Sequence, residues 1–163
     1  MNWRAVIGFE LGWLALVYFQ HLAMLPVAIY LLWAWWRLPR PRQILVLQLA
    51  LLGIAIDSVL VFTGVLQFTT TIWLPAWFLL LWCLFALAVV EAFAALLKPL
   101  CLAPILGAIG GPLSYLGGAV LSGGQLLMPL GWVSWACLVL IWAGLAAYYG
   151  SLNKERLHAQ KLA

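Results

Sequence analysis

Phe78-Leu79-Leu80-Leu81-Trp82-Cys83-Leu84-Phe85-Ala86-Leu87-Ala88-Val89-Val90 runs without a charge or a turn residue. Ile44 to Leu52 is a second such stretch. A membrane β-barrel strand would instead alternate apolar and polar residues over about ten positions. Continuous apolar runs read as helices, because a chain in lipid must satisfy its backbone hydrogen bonds within itself.

Composition extends this reading to the whole chain. Of 163 residues, 67% are apolar and 7% charged, with 8 Lys/Arg against 4 Asp/Glu. A soluble domain carries about 25% charge, and one small core could not hide so much apolar surface. With a mean hydropathy of +1.13, these values exclude a soluble globule, a disordered chain and a nucleic-acid-binding module. The net charge of +4 sits in short gaps between apolar runs, not in a basic stripe. The expected class is all-α, a polytopic membrane protein forming a single integral membrane domain over 1–163.

Charges and turn residues divide the chain into helices at roughly 5–20, 24–37, 43–63, 73–97, 102–121 and 129–150, with a basic cytoplasmic tail over 151–163. The first two meet at Gln20-His21 with Pro26 beyond; fused, they would make five spans instead of six. Pro39 and Pro41 punctuate the basic loop Arg37 to Arg42, Gly64 to Thr71 ends the third helix, and Lys98-Pro99 closes the fourth. The N-terminal stretch reads as a retained helix and not a signal peptide, because Glu10 interrupts it. Six spans with the N-terminus inside put every Lys and Arg on the cytoplasmic side, whereas five would strand Arg4 outside. Trp33, Trp35, Trp36, Trp73, Trp77, Trp132 and Trp135 fall near helix ends, where indoles anchor at headgroup level.

Ionisable residues inside a span are costly, about 2.5–3.5 kcal/mol for Asp at a helix centre. Asp57 is the deepest, about 20 Å along the third helix, with Gly53 and Gly64 on its face and Ser58 next to it. It reads either as a group for proton, cation or headgroup contact or acid–base work, or as hydrogen-bonding glue between helices. Glu10 and Glu91 lie near the inner surface; each either binds substrate or ion or pairs with a snorkelling Arg or Lys. The fifth helix carries Gly107-Ala108-Ile109-Gly110-Gly111-Pro112-Leu113-Ser114-Tyr115-Leu116-Gly117-Gly118. Gly107, Gly111, Ser114 and Gly118 share a strip for close packing. Pro112 frees a carbonyl, so the helix either kinks or opens at Gly110-Gly111. Ser114 and Tyr115 sit at the depth of Asp57, so a polar centre of Asp57, Ser114 and Tyr115 is expected. His21 is placed at the outer mouth, a candidate with Asp57, Ser58, Glu10 and Glu91 for substrate or ion binding, but it has no second ligand for a metal. No metal- or cofactor-binding motif and no hydrolase triad is present, so neither metal nor cofactor is expected. Cys83, Cys101 and Cys137 are far apart and read as buried thiols.

Phe9-Glu10-Leu11-Gly12-Trp13, Gly53-Ile54-Ala55-Ile56-Asp57-Ser58, Trp77 to Phe85, and Gly107 to Tyr115 together resemble a small bacterial inner-membrane family known only as a domain of unknown function. The resemblance covers nearly the whole chain, and its most specific parts are Gly-Gly-Pro-Leu-Ser-Tyr and Asp-Ser. It brings no activity with it. It implies, through neighbouring genes for fatty-acid-modifying enzymes such as cyclopropane-forming ones, a link to envelope lipids. Glu91 falls where that family would vary. The leading expectation is a bacterial inner-membrane protein in membrane-lipid modification or homeostasis, with both termini cytoplasmic and membrane lipids as partners. The alternatives are a small proton- or cation-coupled carrier or channel, and a non-catalytic assembly partner of a membrane enzyme. A membrane-protein partner or homo-oligomer fits these readings; nucleic acid does not.

Overall fold

A computed structural model describes residues 2–93 and 102–162, the side chains of 152–162 excepted. The order is α1 (Trp3–Phe19), a 3-10 turn (Gln20–Ala23), α2 (Met24–Trp36), α3 (Arg40–Phe62), β1 (Gln67–Phe68), α4 (Ala76–Glu91), α5 (Leu102–Leu121), β2 (Leu126–Leu127) and α6 (Trp132–Leu162). The protein is helical almost throughout. Four stretches are long and apolar enough to cross a membrane: 3–36, 40–62, 102–121 and 132–151.

The first of these is not one rod. The Arg4 guanidinium lies 4.9 Å from the Trp33 ring centroid, and the Tyr30 hydroxyl packs on Gly8. In a straight helix Arg4 and Trp33 would be about 40 Å apart at 1.5 Å per residue. The chain therefore reverses at Gln20, the one described non-glycine with positive φ (48°). A strained backbone conformation of this kind costs about 1–3 kcal/mol and persists only where its surroundings fix it. They do: the Gln20 amide donates to Ser122 O at 3.1 Å, and the Gln125 amide donates to Gln20 Oε1.

Prolines set two helix starts differently from expectation. α3 begins at Arg40 and not at 43, because Pro39 caps it and Pro41 sits in its first turn, where no backbone donor is needed. α4 begins at Ala76 and not at 73, because Pro75 holds the extended N-cap and disfavours helix at the residue before it. α6 runs on to Leu162 instead of stopping at 150. Beyond Gly150 there is no further Gly or Pro, and Leu, Lys, Glu, Arg and Gln favour helix. The closure of α4 over 94–97 and Lys98-Pro99, Cys101 and the tail side chains from 152 lie outside the described residues.

The fold is all-helical, with one small exception at one end. Two expected loops pair as short antiparallel strands, Gln67 with Leu127 and Phe68 with Leu126. The Ser134 hydroxyl donates to Val65 O at 2.7 Å while fully buried. The α1–α2 turn and the 65–69 and 122–126 segments thus interlock at one end of the molecule. Arg4 meets Glu91 at the other.

α4 is the central helix, packing on α1, α2 and α3 with most of its residues buried. Trp77, expected as an interfacial anchor, is instead buried with its ring edge-on to Phe68 and Phe78. Trp33, Trp36, Trp73 and Trp132 are exposed near helix ends. The flanks of the helices present Ile7, Leu11, Leu14, Ile29, Leu47, Leu51, Ile105, Ile109 and Leu140 outward. So much exposed apolar surface matches a surround of hydrocarbon and not of water.

Candidate functional site

Asp57 projects from the C-terminal third of α3 and is 1% exposed. Trp82 Nε1 of α4 donates to its Oδ2 at 2.7 Å. The Tyr115 hydroxyl of α5 lies 2.7 Å from both carboxyl oxygens. One acid therefore ties three helices together, and both donors are themselves buried. A polar group in an apolar interior is tolerable only when paired in this way. α6 joins through Trp142, which stacks on Trp82 with centroids 5.6 Å apart and planes 10° apart. Trp142 also meets Phe85 edge-on at 5.1 Å.

Small residues make these approaches possible. A Cβ on Gly53 would lie 2.1 Å from the Trp82 ring, and one on Gly111 would lie 2.1 Å from the Trp142 ring. A Cβ on Gly107 would strike the Trp142 carbonyl at 2.3 Å, and one on Gly118 would approach Leu126 at 3.2 Å. The packing strip of α5 is thus Gly107, Gly111 and Gly118, as its helical spacing indicates. Gly110 is not part of it: it is exposed and has nothing within 4 Å. Nor does α5 open at Gly110-Gly111, since the helix continues through a buried Pro112. Lipid-embedded helices tolerate such prolines because neighbours compensate the freed backbone group.

The polar centre holds only in part. Asp57 and Tyr115 meet, while Ser114, one residue before Tyr115, is turned about 100° around the helix and makes no hydrogen bond to Asp57. Ser114 instead lines two spaces. The first is a cavity of about 30 Å³ bounded also by Trp77, Phe78, Trp82 and Tyr115. It is large enough for one water, which needs roughly 10–15 Å³. The buried Trp77 Nε1, which has no partner among the described residues, belongs to a residue on its wall.

The second space is a cleft of about 360 Å³. Leu49, Leu52 and Gly53 of α3 and Trp82, Phe85 and Val89 of α4 form one wall. Leu106, Gly107, Gly110 and Gly111 of α5 and Leu145, Ala146, Tyr148 and Tyr149 of α6 form the other. Leu52, Leu106, Gly110 and Tyr148 are exposed, so the cleft opens sideways between helices. Its size falls within the ~300–1,000 Å³ usual for small-molecule sites. The two spaces share Phe9, Trp82, Phe85, Ser114 and Trp142, so the Asp57 assembly stands at their junction.

The remaining candidates lie elsewhere. The Ser58 hydroxyl donates to Ile54 O at 2.7 Å and so serves its own helix. Glu91 pairs with Arg4 at 3.1 Å and also accepts from Asn2 at 3.3 Å. Glu10 is exposed on α1 and makes no ion pair among the described residues. His21 is exposed in the 3-10 turn, and no group of three or more His, Cys, Asp and Glu gathers among the described residues.

Sequence reasoning missed Trp82 and Trp142. A signal was present: both lie mid-helix, too deep for headgroup anchoring. A Trp N–H in hydrocarbon needs an acceptor, and Asp57 is the carboxylate at a matching depth.

The family model described as "Protein of unknown function (DUF2878)" matches residues 2–148, and the chain belongs to that family. No curated protein and no solved structure matches the chain.

Proposed function

We propose that this member of the DUF2878 family crosses the inner membrane of a bacterium six times, with both ends in the cytoplasm. Its role on this reading is in membrane-lipid modification or homeostasis. The lateral cleft takes a lipid acyl chain, with Ser114 on its wall and the Asp57–Tyr115–Trp82 assembly behind it. The cleft is the observation that carries the proposal: it is apolar, open between helices that face outward with apolar side chains, and of ligand size.

The six-crossing topology is supported by which ends meet. The start of α1 touches the end of α2 and the end of α4 through Arg4, Trp33 and Glu91. The α1–α2 turn, the end of α3, the end of α5 and the start of α6 gather at the opposite end. Arg4 and Arg37 then lie on one side, as the positive-inside rule asks. A proton or cation carrier would need a polar route from Asp57 to Glu10 or Glu91. Phe85, Val89 and Phe93 lie on that side of the bundle, and Glu91 is engaged by Arg4.

The test uses Gly110, which lines the cleft with open space beside it. Membrane lipids would be profiled by mass spectrometry in a deletion strain, the complemented strain, and a strain complemented with Gly110→Phe at matched protein level. The expected result is a changed acyl profile that wild type restores and the cleft-filling variant does not. An unchanged profile on deletion, or full restoration by Gly110→Phe, would sink the proposal.

A further inference from the structure

The end of the molecule opposite the interlocked loops carries a second concentration of chemistry, independent of the cleft. The Arg4 guanidinium sits 4.9 Å from the Trp33 ring centroid and that of Arg37 sits 4.2 Å from the same centroid. The two Cζ atoms are therefore at most 9.1 Å apart, the sum of those distances. Two guanidinium groups thus share one indole, and of the two it is Arg4 that pairs with Glu91.

The described acceptors do not supply enough. Among the described residues Glu91 is the one carboxylate in the cluster, and its oxygens already receive Arg4 and Asn2. Arg4 Nε and the Tyr30 hydroxyl are buried without partners. Arg37 is exposed, and among the described residues its guanidinium makes no ion pair. Arg40 and Arg42, both exposed, follow within one turn of the α2–α3 connection. Exposed Trp3, Trp33 and Trp36 flank the group, the composition of a headgroup-level belt. A planar guanidinium already oriented by an aromatic face presents a fork suited to a bidentate oxyanion.

We propose that Arg37, with Arg4 and Trp33, forms a binding site for the phosphate of an anionic membrane lipid in the leaflet facing this end. The shared chemistry is a phosphate oxyanion, and the lipid is its source here because the flanking tryptophans place the guanidiniums beside acyl chains. Among the described residues the site is rich in donors and short of acceptors, and a phosphodiester supplies acceptors. Basic pockets between helices at the cytoplasmic surface bind acidic headgroups on the same principle.

The full chain would be placed in nanodiscs of mixed phosphatidylglycerol and phosphatidylcholine, and retained lipids counted by native mass spectrometry. Wild type is expected to retain phosphatidylglycerol preferentially. Arg37→Gln should lower that preference about fivefold, equivalent to the ~1 kcal/mol that one basic residue contributes at an anionic surface. Arg37→Lys, which keeps the charge but loses the stacked fork, should fall between. Arg37 is exposed and holds no ion pair among the described residues, so its variants should fold; unchanged thermal unfolding would verify this. Equal retention of both lipids by wild type, or unchanged preference in Arg37→Gln, would overturn the proposal. Displacement of the retained lipid by millimolar inorganic phosphate at constant ionic strength would assign the site to free phosphate and overturn the lipid source.

Discussion

Adding one methyl group to Gly111 should destabilise the protein, while adding it to the adjacent Gly110 should stabilise it. A Cβ on Gly111 would fall 2.1, 2.2 and 2.5 Å from Trp142 Cγ, Cδ2 and Cδ1. Carbon atoms in contact prefer about 3.5–4.0 Å, so the indole must retreat by more than ~1 Å. It cannot do so freely, being stacked on Trp82 and edge-on to Phe85. Overpacking of this kind costs about 1–3 kcal/mol, and disturbing the aromatic pair adds about 0.5–1.5 kcal/mol. Replacing Gly by Ala in a helix returns about 0.5–1 kcal/mol. The net for Gly111→Ala is a loss of about 0.5–4 kcal/mol. A Cβ on Gly110 meets nothing within 4 Å, leaving only the helical gain of about 0.5–1 kcal/mol. Both variants would be measured by reversible unfolding in mixed detergent and SDS micelles, followed by helical circular dichroism and tryptophan fluorescence. Shifts of the same sign, or Gly111→Ala at or above wild type, would refute the assignment of these two glycines to opposite environments.

Two further outcomes follow from the polar contacts. Tyr115→Phe should lose stability by about 1–3 kcal/mol, spanning the values for hydrogen bonds between membrane helices and to charged groups. A double-mutant cycle with Asp57→Asn should show that the two losses are not additive; additive losses would mean the pair does not interact in solution. At the other end, Glu91 is 8% exposed and Arg4 36%, so the charge stranded by each substitution differs. Arg4→Gln should cost more than Glu91→Gln, because an unpaired buried charge is worth several kcal/mol and a half-exposed one about 1. The same unfolding assay decides it, and the reverse order would contradict the burial asymmetry.

Much of the architecture was legible. Apolar run lengths located α3 and α5 to within three residues, since a span must be long, continuous and helical. Glu91 was readable as an acid to be paired near the inner surface, and the strip Gly107, Gly111, Gly118 as a packing face, because helical periodicity fixes which residues share a side. Asp57 and Tyr115 were legible as neighbours from matched depth alone. Ser114 was not separable from Tyr115 in this way, because depth says nothing of rotation about the helix. Gly110 was grouped with Gly111 for the same reason. Trp77 was mistaken for an anchor because Phe68 of the 65–69 segment packs edge-on against it, and such coverage by another segment has no local signature.

What the sequence determined by itself is the solvent and the secondary structure: two-thirds apolar residues in continuous runs require hydrocarbon around helices, and a buried aspartate requires a donor. Which donor it finds, and on which helices, was decided only by tertiary structure. The Trp82–Trp142 stack, the reversal at Gln20 held by Ser122 and Gln125, and the cleft between α3–α4 and α5–α6 all depend on how helices rotate and approach one another. Those quantities are set by interlocking side-chain shapes between distant segments, a property of the assembled packing and of no single stretch of chain.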